Sequence, residues 1–136
     1  MNTISKIHKR FSERLRNPRV LENPEEFLGP NYEEVLNFWL ILDELSKDQL
    51  RVVYERRSAF YDENPSEWYK ATNLAFDASY EVVGLMRYAD EAAEATYDVT
   101  NSSAACYATR ELIAMHKILE DRQKPLTIFP MFLEVL

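Results

Sequence analysis

The amino-acid sequence predicts an all-α protein, and two features carry that prediction: the positions of the helix-breaking residues and the spacing of the apolar ones. Only two glycines occur in 136 residues, and residues 31–64 contain neither glycine nor proline. Proline costs ~3 kcal/mol and glycine ~1 kcal/mol inside a helix, whereas sheet proteins need both in their turns. We therefore expect residues 1–136 to form a single-domain bundle of about five helices. One helix is long enough to need a kink, and an extended apolar tail covers residues 122–136.

Residues 1–19 are predicted to be a basic N-terminal segment with a helix over residues 4–15. Apolar residues recur in this helix every three or four positions and form one stripe: Ile4, Ile7, Phe11 and Leu15. Residues 16–31 follow as a proline-rich connector, in which one short helical turn ends at Gly29.

Two capping-box patterns mark the first helices of the predicted helical core, which covers residues 32–121. In such a box, a polar side chain before the helix and a Glu or Gln three residues later each accept a hydrogen bond from the other's backbone N–H. The pairs with this spacing are Asn31 with Glu34 and Ser46 with Gln49. They predict helices over about residues 32–45 and 47–61.

A longer helical pattern covers residues 65–99 and has proline at its first position, where the missing N–H is harmless. At ~1.5 Å per residue this helix would be ~50 Å long, so we expect a bend near Asp77 or Gly84. Weak helix formers then predict a turn, and the last helix covers about residues 103–121.

The tail, residues 122–136, is the most apolar segment of the chain and would promote aggregation if water surrounded it. We therefore expect it to cover a groove, either on its own chain or on a partner. Its large apolar side chains are candidate interface anchors: Phe129, Met131, Phe132 and Leu133. Because both terminal segments are amphipathic, a homo-oligomer, with a dimer favoured, is the first partner hypothesis. Another protein is the alternative.

Charge is distributed unevenly along the chain. Residues 1–19 hold six basic residues against one acid, while the remainder holds 10 basic and 22 acidic residues, for a net charge of −7. The basic residues of this segment are Lys6, Lys9, Arg10, Arg14, Arg16 and Arg19. They have three open roles: docking on the acidic body within or between subunits, binding nucleic acid, or forming a solvated arm. Nucleic-acid binding has less support, because the segment's one aromatic residue, Phe11, belongs to the apolar stripe.

The sequence contains no recognisable catalytic or cofactor-binding motif, and we predict no cofactor. An acidic face on the long helix offers one alternative, a divalent-metal enzyme using Glu91, Glu94, Asp98 and His116. A solvated acidic face is the simpler interpretation, because no second helix supplies the matching carboxylate pair. A third hypothesis is that the acidic body imitates nucleic acid. The leading hypothesis is a non-enzymatic protein–protein interaction module, such as an assembly subunit, adaptor or inhibitor.

The single cysteine, Cys106, excludes a disulfide within one chain. No apolar run approaches the ~20 residues that a membrane-spanning helix needs, so we predict no membrane association. A cytoplasmic location is the corresponding expectation.

Overall fold

A computed structural model describes residues 3–121 and 126–136. All regular elements in these ranges are helices, so the all-α prediction is confirmed for them. In chain order they are α1 (Thr3–Phe11), α2 (Arg19–Glu22), α3 (Pro24–Leu28), α4 (Tyr32–Glu44), α5 (Lys47–Glu63), α6 (Pro65–Val83), α7 (Met86–Thr100), α8 (Ser103–Ile113), a π-helical segment (Lys117–Asp121) and α9 (Phe129–Leu133). The side chain of Ile4 and residues 122–125 of the predicted tail lie outside the described part.

The predicted number of about five helices is wrong: the described ranges contain nine α-helices, six of them nine or more residues long. Gly84 divides the predicted helix over residues 65–99 into α6 and α7, because its left-handed backbone (φ 79°, ψ −16°) ends a helix. The connector folds into α2 and α3, so it contains two short helices rather than one. The tail is not extended, because residues 129–133 form α9.

The two predicted capping boxes have different outcomes. The Ser46 box is confirmed: the Gln49 N–H donates to Ser46 Oγ at 3.1 Å, and the Ser46 N–H donates to Gln49 Oε1 at 2.8 Å. The Asn31 box is wrong, although α4 begins where it was predicted. The Asn31 side chain is buried and donates instead to the backbone carbonyl of Leu112 at 3.2 Å, which ties the start of α4 to the end of α8.

Helix α8 lies at the centre of the molecule, in contact with α4, α6, α7 and α9. It forms an antiparallel pair with α7, and the contacting faces consist largely of buried alanines: Ala89, Ala92, Ala93, Ala104, Ala105 and Ala108. Inside this pair Thr96 Oγ1 lies 3.0 Å from Thr109 Oγ1, which also accepts a hydrogen bond from the Trp39 indole at 3.3 Å. These small and internally paired side chains let three helices meet closely without leaving an unpaired polar atom.

Substituting alanine at the two glycines compares a crowded position with an open one. Gly29 (φ 77°, ψ −169°) has a conformation that is essentially restricted to glycine, and an added Cβ would lie 2.8 Å from Val82 Cγ1. Nothing lies within 4 Å of a Cβ added at Gly84. We expect Gly84→Ala to lower the free energy of unfolding by about 1 kcal/mol and Gly29→Ala by about 2–3 kcal/mol. Chemical denaturation followed by circular dichroism would measure both, and equal losses would contradict the steric argument.

Candidate functional site

The apolar tail folds back onto its own chain. Ile128 and Phe132 have 0% and 1% of their surface exposed. The ring of Phe38 on α4 receives two edge-on contacts, from Phe129 at 5.2 Å and from Phe132 at 5.3 Å between ring centroids. Aromatic pairs prefer this arrangement because the positive ring edge faces the negative ring face. The tail was expected to cover a groove either on its own chain or on a partner, and in the structure it covers one on its own chain.

A buried carboxylate on α8 holds the start of the tail. Glu111 is 3% exposed and accepts hydrogen bonds from the backbone N–H groups of Thr127, Ile128 and Phe129, at 2.7–3.2 Å. These N–H groups lie at the start of α9, where a helix has no carbonyl partners of its own and favours negative charge. Burial raises the pKa of the Glu111 carboxyl, and the three hydrogen bonds oppose that rise. Glu111 thus acts as a capping residue supplied from a distant part of the sequence.

The far end of the tail is held by α5. Gln49 Nε2 donates to the Val135 carbonyl at 2.6 Å, and Arg56 forms an ion pair with Glu134 at 2.9 Å. Since both partners on α5 are at least partly exposed, these contacts stabilise the tail less than Glu111 does.

An apolar groove of about 280 Å³ remains open beside the folded tail. One wall is the outer face of α4, another is the end of α8 with Met115, two residues beyond the helix, and the third is the tail. The lining residues are Glu34, Asn37, Phe38, Ile41, Leu112, Met115, Phe129, Phe132, Leu133 and Leu136. Ile41, Leu133 and Leu136 at its edge are 36%, 50% and 60% exposed, so the apolar surface faces solvent. Clustered exposed apolar side chains of this kind commonly mark a binding surface.

The four candidate anchors of the tail differ in their accessibility. Met131 and Phe132 are buried in the chain's own core, and Phe129 is half buried. Leu133 is the anchor whose side chain is exposed, and it lies at the edge of the groove. In this folded form, Leu133 and Phe129 are thus accessible to a partner, while Met131 and Phe132 belong to the core.

The candidate metal residues do not assemble into a site. Arg16 pairs with both Asp98 (2.9 Å) and Glu94 (3.8 Å), and Glu91 accepts a hydrogen bond from Asn17 (2.7 Å). His116 lies beyond the end of α8, 4.0 Å from Glu120 and 70% exposed at its side chain. Within the described residues, no group of three or more His, Cys, Asp and Glu side chains could hold a metal ion.

The basic N-terminal segment docks on the acidic body of its own chain. The apolar stripe of α1 is buried, with Ile7 and Phe11 both 0% exposed. Arg14 pairs with Asp43 at 2.9 Å, and Arg10 pairs with Glu44 at 3.2 Å, so two arginines of the segment neutralise the end of α4. The remaining basic residues of the segment, Lys6, Lys9 and Arg19, are exposed. Arg10 and Arg14 thus form ion pairs within their own chain.

A second cleft, of about 390 Å³, lies over α7 and α8, and its charged residues are already paired. The guanidinium of Arg110 is 3.6 Å from the centroid of the Phe76 ring and pairs with Asp90 at 3.2 Å. Cys106 donates to the Ala93 carbonyl at 3.1 Å, and burial raises the pKa of its thiol to about 11. A thiol with so high a pKa is a poor nucleophile at neutral pH. This cleft therefore shows no activated group.

Comparisons with protein-family models, curated proteins and solved structures give no match to this chain. In the described part of the chain, every helix is too short or too polar to span a lipid bilayer.

Sequence reasoning missed Glu111 and the groove. Glu111 lies on the same helical line as Ala104, Ala108 and Met115, so a charged residue interrupts an apolar stripe. A charge at such a position is rarely buried without a partner, and this interruption was the available signal. The groove had no comparable signal, because it forms between segments that are distant in sequence.

Replacing Glu111 by glutamine should loosen the tail. The glutamine amide has one acceptor oxygen and no charge, and its NH₂ group would face backbone donors, so buried N–H groups would lose partners. We expect Glu111→Gln to lower the free energy of unfolding by about 1–3 kcal/mol. The same change at the exposed Glu55 should alter it by less than about 0.5 kcal/mol. Similar losses at both positions, measured by chemical denaturation, would contradict the capping role.

The pH dependence of stability should identify the sign of the Glu111 shift. Because its pKa is raised in the folded state, the carboxyl contributes stability that is present below the unfolded-state pKa and is lost as the pH rises through the folded-state pKa. The advantage of the wild-type protein over Glu111→Gln should therefore be largest in acid and shrink as the pH rises from about 4 towards neutrality. Thermal unfolding of both proteins across this range would measure it. A wild-type advantage that grows with pH would contradict the raised pKa and would mean that the three hydrogen bonds lower the pKa of Glu111 by more than burial raises it.

Proposed function

We propose that this protein is a non-enzymatic protein–protein interaction module whose apolar groove binds the apolar face of an amphipathic helix from another protein. The observation that supports this proposal is the groove itself, which presents Ile41 of α4 and Leu133 and Leu136 of the tail as exposed aliphatic side chains. Grooves between helices commonly receive a partner helix through anchors spaced three, four and seven residues apart.

The length of the groove suits such a partner. Glu34, Phe38 and Ile41 line it from one helix and span seven residues, or ~10 Å at 1.5 Å per residue. Helical anchors at positions i and i+7 are separated by the same ~10 Å. A helix of two to three turns could therefore place apolar side chains against Phe38 and Ile41 and a further side chain beside Glu34.

The polar groups with unusual environments already have structural roles. Glu111 caps α9, Arg110 stacks on Phe76 and pairs with Asp90, and the Cys106 thiol is held protonated. Catalysis usually needs such groups to converge on a substrate cleft with a nucleophile or base of tuned pKa. The groove contains apolar contacts instead, so binding is better supported than chemistry.

Self-association remains a prediction for the same surface. The amphipathic terminal segments that first suggested a dimer both pack on their own chain, so the contact would have to use the groove edge. Exposed Leu133 and Leu136 are the residues that a second copy would cover.

A pair of matched leucines tests the proposal. Leu133 is 50% exposed at the groove, and Leu85 is 51% exposed outside the groove lining, at the N-cap of α7 where Asp is well tolerated. The probe is a fluorescent peptide of roughly 16 residues with leucines at helical spacing and glutamines elsewhere. We expect Leu133→Asp to weaken binding at least about tenfold and Leu85→Asp to leave it unchanged, by fluorescence anisotropy.

Two results would overturn the proposal. If the peptide does not bind the wild-type protein, or binds Leu133→Asp as tightly, the groove is not a helix-binding site. If light scattering shows a wild-type dimer that Leu133→Asp converts to monomers, a second copy occupies the groove instead of another protein.

A further inference from the structure

The groove adjoins the most one-sided charge distribution in the chain. Residues 20–46 contain seven acidic residues and no lysine or arginine. Two of the acids, Asp43 and Glu44, are paired with arginines of the N-terminal segment. The other five are exposed: Glu22, Glu25, Glu26, Glu33 and Glu34. The negative charge that is left on this part of the surface thus lies towards the start of α4.

Glu33 and Glu34 bring this charge to the groove. Glu34 lines it, and Glu33 lies one helical turn before Asn37, which also lines it. In residues 3–121 and 126–136, neither glutamate takes part in an ion pair, and no lysine or arginine lines the groove. An apolar groove with a carboxylate at one end and no lysine or arginine in its described lining favours a ligand that supplies a cation.

We infer that the helix bound in the groove is cationic, with a lysine or arginine placed about two turns from the anchor that reaches Ile41, so that it meets Glu33 and Glu34. This inference rests on the proposed function and names the chemistry of its partner. With Glu34 and Ile41 seven residues apart on one wall, a helix whose anchor reaches Ile41 carries its cation ~10 Å away, at the glutamate end.

Charge also favours a cationic helix over a second copy of the chain as the occupant of the groove. A two-fold contact through the groove would bring a second Glu33 and Glu34 into the same interface, and like charges there oppose association. The basic helix α1 of a second copy does not fit without unfolding, because its apolar side chains Ile7 and Phe11 are fully buried on their own chain.

Three peptides that differ only in charge test the inference. They share the leucine pattern of the neutral probe, and their polar positions nearest the anchors are lysine, glutamine or glutamate. We expect affinity to fall in the order lysine, glutamine, glutamate. The preference for lysine over glutamine should shrink by roughly threefold to tenfold in the double variant Glu33→Gln/Glu34→Gln, because two surface charge pairs are lost.

The control removes the same charge elsewhere. Asp62 and Glu63 are exposed at the end of α5, outside the groove lining, so Asp62→Asn/Glu63→Gln should keep the full preference for the lysine peptide. The preference should also weaken as NaCl is raised from roughly 0.05 to 0.5 M, while binding of the glutamine peptide changes little. The salt series uses the unmodified protein, so the inference can be tested even if a variant fails to fold.

The outcomes distinguish the inference from the function on which it rests. If none of the peptides binds, the proposed function fails. The glutamine peptide could bind and lose affinity for Leu133→Asp, while the lysine and glutamate peptides bind equally well. That result would support the proposed function of the groove and overturn the inference that its partner is cationic. If both double variants reduce the lysine preference equally, the effect is one of overall charge, and the inference is again overturned.

Discussion

The hydrogen bonds between Glu111 and the start of α9 connect the centre of the molecule to its most apolar segment. Glu111 lies on α8, which contacts α4, α6 and α7, so its carboxylate has a fixed position. Three consecutive backbone N–H groups meet it, and this fixes where the tail begins to coil. The aromatic contacts of Phe38 with the tail, and with them the shape of the groove, follow from that position.

The surface electrostatics follow from how the N-terminal segment is used. Its arginines neutralise carboxylates at the end of α4 and along α7. What began as a basic end and an acidic body becomes, in the folded chain, a surface on which these arginines are paired, while five acids near the start of α4 form no ion pair within the described residues.

Structural features that depend on neighbouring residues could be predicted from the sequence, and features that depend on contacts between distant residues could not. The capping box of Ser46 depends on four consecutive residues, so its spacing was sufficient. Asn31 has the same local pattern, but its side chain donates a hydrogen bond to a backbone carbonyl 81 positions later. The bend at Gly84 was predictable because only glycine adopts its conformation easily. The groove was not predictable, because three separate segments line it. Among the described residues, the absence of an ion pair at Glu33 and Glu34 depends on where distant arginines dock.

The position of the tail has a consequence for how the protein matures during synthesis. Residues 126–136 are synthesised after residues 3–121, and until they are present Phe38 and Leu112 lack the tail side chains that pack on them. A nascent chain at that stage exposes apolar core surface, and the Glu111 carboxylate lacks its hydrogen-bond donors. Exposed apolar surface of this kind makes incomplete chains prone to aggregation and is what molecular chaperones bind. The core around Phe38 and Leu112 therefore closes only when residues 126–136 pack on it.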